Sequence, residues 1–304
     1  VEPAFTTFHE GELAVQARAG VRDVARRVGG GIRSTIPAVA REFLRGQPMV
    51  VLAAADATGD VWASLLSGAP GFAQAVDERT VRLDAAPRPG DPLNEHLRSG
   101  DLVGLLAIEF ATRRRMRLNG HVERLPGGRL LVHTREVYAN CPKYIQRREW
   151  EATGEHRSDR ADRRQGTQLL AAQQQWIRGA DTFFIASLHP VAGADASHRG
   201  GNPGFVQVVS PTRLVFPDYA GNNMFNTLGN LVASPRAGLL FVDFERGRTL
   251  QLTGTAMIDW DPAHAAGFAG AARLVEFDVR RAVEIAGGLP LRVRFVDYSP
   301  LNPA

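Results

Sequence analysis

The chain repeats itself. Phe43-Leu44-Arg45-Gly46 returns as Trp176-Ile177-Arg178-Gly179, an offset of 133 residues. At the same offset Ser64 meets Ser197, and Gly68-Ala69-Pro70-Gly71-Phe72 meets Gly201-Asn202-Pro203-Gly204-Phe205. After one inserted residue the offset becomes 134: Gly104-Leu105-Leu106 meets Gly238-Leu239-Leu240, and Arg117-Leu118-Asn119-Gly120 meets Gln251-Leu252-Thr253-Gly254. A long repeat with a single gap marks a duplicated folding unit. The chain is therefore expected to hold two domains, residues 1–150 and 151–304.

Each copy reads alike. A short helix (Ile36–Arg45; Gln168–Arg178) stops at glycine. An apolar strand follows (Met49–Ala54; Thr182–Ser187), then a strand ending in the Pro-Gly-Phe segment and a third (Thr80–Asp84; Arg213–Phe216). A short helical stretch leads to a strongly apolar strand (Leu102–Phe110; Ala237–Phe244) and two more (Met116–Glu123 and Arg129–His133; Thr249–Ile258 and Arg273–Val279). Short strands at this spacing predict a mainly β, α+β chain. The expected form is two tandem six-stranded antiparallel split barrels with short helices, packed as an intrachain pseudo-dimer. Ahead of them, Leu13, Ala14, Ala17, Val21, Val24, Ala25 and Val28 recur at three- and four-residue steps and predict one amphipathic helix over Glu10–Val28. Arg147–Gly166, charged and polar, reads as a solvated linker or surface helix.

Composition narrows the function classes. No apolar run is long enough to span a membrane. Cys141 is the sole cysteine, so neither an intrachain disulfide nor a cysteine-based metal site can form, and a cytoplasmic setting is expected. The net charge of +4 comes from arginines spread along the whole chain, with no basic stripe interleaved with aromatics, which argues against nucleic acid. Neither a dinucleotide-binding glycine fingerprint, a phosphate-binding Walker loop nor a His-Glu-x-x-His zinc motif is present.

Where the duplicates diverge, the polar copy is the one expected to keep a site. Copy two has Ser197-His198-Arg199-Gly200-Gly201 where copy one has Ser64-Leu65-Leu66-Ser67-Gly68. It also has Asp218-Tyr219-Ala220-Gly221-Asn222-Asn223-Met224-Phe225-Asn226-Thr227 where copy one has Arg88-Pro89-Gly90-Asp91-Pro92-Leu93-Asn94. Glycines and asparagines in a loop before a helix can turn backbone donors outward, toward a phosphate or a planar ring. The same asparagines also suit plain turns. A third segment, Tyr138-Ala139-Asn140-Cys141-Pro142-Lys143-Tyr144-Ile145-Gln146, holds the sole lysine beside the sole cysteine. A helix beginning at Pro142 would set Lys143 by its N-terminal amides, an anion site; an exposed lysine on a surface helix is the plainer alternative. Cys141 is expected to be a small packed thiol.

These segments, with Pro235-Arg236-Ala237-Gly238-Leu239-Leu240-Phe241, resemble the FMN-binding split-barrel family, whose best-known member is pyridoxamine 5′-phosphate oxidase. The similarity covers nearly all of copy two, and copy one more faintly, and points to a bacterial subgroup. It implies FMN held between two barrels, redox chemistry on a small-molecule substrate, and barrels that pair. A further homodimer stays open. Pyridoxamine phosphate oxidases carry a Ser-Arg-Lys run that grips the FMN phosphate, where this chain has Gly221-Asn222-Asn223. Arg199 and Lys143 are the expected replacements. Ser197, Gly200, Asn222, Asn223, Met224, Asn226 and Thr227 are the other expected cofactor contacts, and His198 or Tyr144 the proton donor. The alternative is a binding protein for flavin, deazaflavin or haem without turnover.

Overall fold

The computed structural model describes residues 7–152, 162–287 and 291–304. Three helices lead in: α1 (Glu10–Arg18), α2 (Arg22–Gly29) and α3 (Ala38–Arg45). The single amphipathic helix expected from the apolar stripe is broken at Gly20, which takes a left-handed φ of 69°. The face that α1 buries is partly polar, with Glu12 and Gln16 inside and Leu13 outside.

The first antiparallel ladder contains β1 (Met49–Ala55), β2 (Val61–Ser67), β3 (Ala73–Ala75), β4 (Thr80–Leu83), β5 (Leu102–Glu109), β6 (Arg114–Arg124) and β7 (Leu130–Asn140), with α4 (Pro92–His96) before β5. After β8 (Arg147–Ala152), β9 (Asp162–Gly166) and α5 (Ala171–Gly179), the second contains β10 (Thr182–His189), β11 (Gly193–Gly200), β12 (Gln207–Ser210), β13 (Arg213–Tyr219), β14 (Arg236–Asp243), β15 (Arg248–Asp259) and β16 (Ala271–Ala286), with α6 (Asn226–Ala233) before β14. The spatial orders match strand for strand: β2-β1-β5-β6-β7-β4-β3 and β11-β10-β14-β15-β16-β13-β12. Each copy thus has one strand more than expected. The addition, β3 or β12, is three or four residues long, too short to show alternation.

The pleat explains the apolar runs. Successive side chains point to opposite faces, so Val50, Leu52 and Ala54 fill the first barrel while Met49, Val51 and Ala53 join a separate core between the barrels. Likewise Phe183 and Ile185 fill the second barrel, and Phe184 and Ala186 face the junction. Strands buried on both faces read as continuous hydrophobic runs. Gly104 and its counterpart Gly238 let the barrels close: a Cβ on Gly104 would stand 2.7 Å from the Asp195 Cα, and one on Gly238 2.8 Å from the Trp62 Cα.

The segment read as a linker contains β8 and β9. β8 pairs with β17 (Leu291–Asp297), and β9 pairs with the far end of β16. In β8, Arg148 is buried against Phe110, Phe244 and Phe295 and pairs with Asp181, so the charged composition misled. Val283 and Ile285, beyond the expected end of the last strand, enter the core of the first barrel. Among the described residues no helix is long and apolar enough to cross a membrane.

Candidate functional site

At one barrel junction, β11 faces β6. On β11 the alternation puts Asp195, Ser197 and Arg199 on one side, and His198 on the other. On β6 it puts Arg115 and Arg117 on one side. The Arg117 Nη1 donates to both Asp195 carboxylate oxygens (3.1 and 3.0 Å), and lies 3.4 Å from the Tyr138 hydroxyl and from the Asn226 Oδ1. Arg199 pairs with Asp218 at 3.5 Å, and Asp218 also faces the Arg273 Nε at 3.4 Å. Burial raises the Asp218 pKa, against the pull of Arg199 and Arg273.

Arg115 is different. Its Nη1 lies 3.0 Å from His198 Nδ1, and no carboxylate pairs with it among the described residues. Burial, and then the neighbouring Arg117 and Arg199, push its pKa down to about 9. The buried Nε atoms of Arg115, Arg117 and Arg199 have no hydrogen-bond partner among the described residues. Buried cations without counter-charges are costly, so this corner is electrostatically incomplete.

Beside the arginines a cleft open to solvent is lined by Arg117, Arg199, Asp218, Asn222, Asn226 and Thr227. The N-terminus of α6 faces it. Phe225, at the N-cap, takes a left-handed φ of 62° and supplies no capping side chain, so the first-turn amides stay available to an anion. Asn223, also left-handed, carries the loop round. Lys143 and Tyr144 reach over from the first copy: Lys143 Nζ donates to the Ala220 carbonyl at 3.3 Å, and the Tyr144 hydroxyl donates to it at 2.9 Å. The Tyr144 and Tyr219 rings meet at 5.1 Å between centroids on the rim.

Of the residues expected from sequence, Arg199, Asn222, Asn223, Asn226 and Thr227 line the cleft, with Lys143 and Tyr144 at its edge. Ser197 and Met224 do not. Ser197 is buried, its Oγ 2.7 Å from the Thr227 Oγ1 and 3.1 Å from Asp195. Met224 packs with Phe8, Ala25, Ile32 and Tyr138. Gly200 faces protein: a Cβ there would sit 2.0 Å from the Tyr144 carbonyl oxygen. His198 packs edge-on against Phe184, and burial, then Arg115, holds its pKa well below the imidazole range. The helix expected at Pro142 is a turn with Tyr144 at φ 66°, so Lys143 has no helix N-terminus beside it. Sequence reasoning missed Arg115, Arg117, Asp195 and Asp218. The signal was there: Arg117 stands opposite Gln251 in the repeat, a charge on one copy only.

Residues 169–286 match the family model of pyridoxamine 5′-phosphate oxidase. The second half is thus similar, over most of its length, to the pyridoxamine 5′-phosphate oxidase family. Solved structures similar to the chain include a variant of HupZ from Group A Streptococcus (13% identity, 38% of this chain and 98% of that one, TM-score 0.32). Others are a conserved protein from Corynebacterium diphtheriae (14%, 40% and 97%, 0.30) and a protein related to general stress protein 26 from Clostridium acetobutylicum (10%, 41% and 92%, 0.26). No curated protein matches the chain. Similarity to that family makes flavin the group to test against this cleft. The unpartnered guanidinium nitrogens and the uncapped α6 suit its phosphate, although the family's basic run is missing from Gly221–Asn223.

A second cluster brings together His9, Glu10 and His189 within metal-binding reach. The hydrogen bonds argue against ligation. His189 Nδ1 accepts from the Val191 and Ala192 amides (3.1 and 2.9 Å), and His9 Nδ1 accepts from the Gly11 amide (3.2 Å). Each neutral ring must then carry its proton on Nε2, the only nitrogen left to face a metal.

Proposed function

We propose that the chain is a flavin-dependent oxidoreductase of the cytoplasm, acting on a small molecule, with one FMN in the cleft between β11, β6 and α6. The two barrels in this reading form within one chain the pair that the family otherwise makes from two. The observation that carries it is the pair Arg117 and Arg199, which line the cleft with buried, unpartnered Nε atoms beside the bare end of α6, together with the neighbouring cation Arg115, which has no carboxylate mate among the described residues. A dianionic phosphate supplies the missing charge there.

Arg199, Arg117 and the α6 amides would hold the phosphate, and Lys143 would close over it from the first copy. Tyr144 and Tyr219 offer aromatic faces at the mouth for a planar ring, and Asn223 lines the wall beside it. When bound, the flavin supplies hydride or single-electron transfer; the protein supplies binding, orientation and electrostatics. His198 is assigned to the packing between barrels, because it lies on the far face of β11 and burial keeps it neutral.

The test is to denature purified protein, identify the released chromophore, and titrate the apoprotein with FMN. One equivalent bound per chain is expected, with bleaching of the flavin absorbance by a reduced nicotinamide or a substrate. Two equivalents would overturn the single-site assignment, and FMN binding without bleaching by any donor would leave a flavin carrier instead of an enzyme. Failure to bind FMN would remove the reading.

A further inference from the structure

The cleft wall has a support far away in sequence. α1 crosses α6 at a glycine pair: a Cβ on Gly11 would stand 2.2 Å from the Gly229 carbonyl oxygen, and one on Gly229 2.6 Å from the Glu12 amide nitrogen. This close crossing brings short polar side chains of α1 onto the cleft segment at three successive points. Gln16 Nε2 donates to the Met224 carbonyl (3.0 Å), Asn226 Nδ2 donates to Glu12 Oε1 (2.6 Å), and His9 Nε2 donates to Asn230 Oδ1 (3.0 Å). All but His9 are buried. An apolar contact would hold two helices together more cheaply, so this polar ladder calls for another explanation.

We infer that Glu12 is a positioning residue for the cofactor cleft, fixing the Asn226 amide and through it the spacing between Arg117 and the α6 N-terminus. The inference rests on the proposed flavin reading. Asn226 is the first residue of α6, and both ends of its amide are committed: Nδ2 to the Glu12 Oε1, Oδ1 toward Arg117. Turned over, the amide would set its N–H groups against the guanidinium and take the Oδ1 acceptor away from Arg117. Glu12 is held in turn by its other oxygen, which accepts from the His9 amide at 2.9 Å. Arg117 Nη1 is then ringed by Asp195, Tyr138 and Asn226 and cannot swing. Two anion-attracting parts from opposite copies are thus held at one separation by a helix that precedes both.

The experiment compares the full-length protein with its E12A, E12Q, H9A, N226A and E12A/N226A variants. FMN affinity is read from fluorescence quenching, and inorganic phosphate binding, as a flavin-free probe of the same cradle, from the shift in melting temperature. E12A is expected to weaken FMN about tenfold or more, a coupling of the usual size for buried partners. E12Q, which keeps an acceptor toward Asn226, is expected to recover most of that loss. The double variant should bind no worse than N226A, because Glu12 acts through Asn226. H9A loosens the same helix contact without reaching Asn226 and should stay within about twofold of the parent. E12A binding like the parent, E12A and H9A losing equally, or additive losses in the double variant would each overturn the inference. If the parent binds no FMN the proposed function falls, and the phosphate arm still decides on Glu12 by the same comparisons.

Discussion

The two barrel junctions occupy equivalent places in the repeat and hold opposite chemistry. Arg117, Asp195, Arg199 and Arg115 at the first correspond by offset to Gln251, Trp62, Leu66 and Thr249 at the second. Ser197 and Ser64 are the polar pair that stayed the same. At the second junction Asp91 caps α4, accepting from the Leu93 amide (2.9 Å) and the Ser64 hydroxyl (2.6 Å), and Gln251 Nε2 donates to its other oxygen at 3.0 Å. The Trp62 indole donates to Asp56 at 3.0 Å, with Arg281 over its ring. Those donors find acceptors inside the protein, although the Gln251 carbonyl oxygen is left without a donor among the described residues. At the first junction the equivalent cap is Phe225, which caps nothing, and the guanidinium donors are left over. A duplicated interface can therefore become a wall or a site depending on whether its donors find acceptors inside the protein.

The largest expected effect tests that contrast directly. Asp195→Ala removes the carboxylate that pairs with buried Arg117 and is expected to lower stability by about 3–5 kcal/mol. Gln251→Ala, at the second junction, removes an uncharged donor and is expected to lower it by about 1–3 kcal/mol. Denaturant midpoints of both variants measure this, and a greater loss at Gln251 would break the comparison.

Arg199→Ala should weaken FMN binding by about 2–5 kcal/mol, or about 30-fold to several thousand-fold, measured by titration. Riboflavin, which lacks the phosphate, should be nearly unaffected. An equal loss for riboflavin would make Arg199 a support of the fold.

Each junction also has a carboxyl that burial makes harder to ionise: Asp91, raised to about 6, and Glu12, raised to about 8. In each case the folded protein keeps a proton that the unfolded chain releases near pH 4. Stability from these groups is full below that point and falls as pH rises, to about 6 for Asp91 and about 8 for Glu12. Melting temperature against pH should flatten above about 6 in Glu12→Gln, and become shallower between about 4 and 6, with the Glu12 slope remaining, in Asp91→Asn. Slopes unchanged in both variants would refute the assignment.

Lys143→Ala should have the smallest effect, a loss of FMN affinity of up to about 1 kcal/mol, because the side chain sits at the rim near solvent. A loss matching that of Arg199→Ala would move Lys143 into the centre of the phosphate contacts.

The repeat, the strand alternation and the Asn-rich loop were legible because they are local or self-similar patterns. The cradle was only half legible. Comparing copies for polar gains picked out Arg199 and Asn222–Thr227 on the second copy, but Arg117 is a gain on the first, and nothing in the sequence says that β6 of one barrel meets β11 of the other. Ser197 and Met224 looked like contacts by position in a loop or strand, and burial took them elsewhere. The turn at Cys141–Tyr144 was hidden because Tyr144 adopts a left-handed conformation that non-glycine residues seldom take. The far part of β16 was hidden by Arg280 and Arg281, which interrupt its apolar run just before the strand passes from one barrel to the other.

That passage binds the fate of the halves. Val275 and Phe277 belong to the second core, and Val283 and Ile285, on the same strand, to the first. A first barrel expressed by itself would lack two of its own interior side chains, and a second barrel would carry them into solvent. The duplication that began as two separable pieces has become a single cooperative unit, in which neither half can be excised, swapped or replaced without leaving a hole in the other.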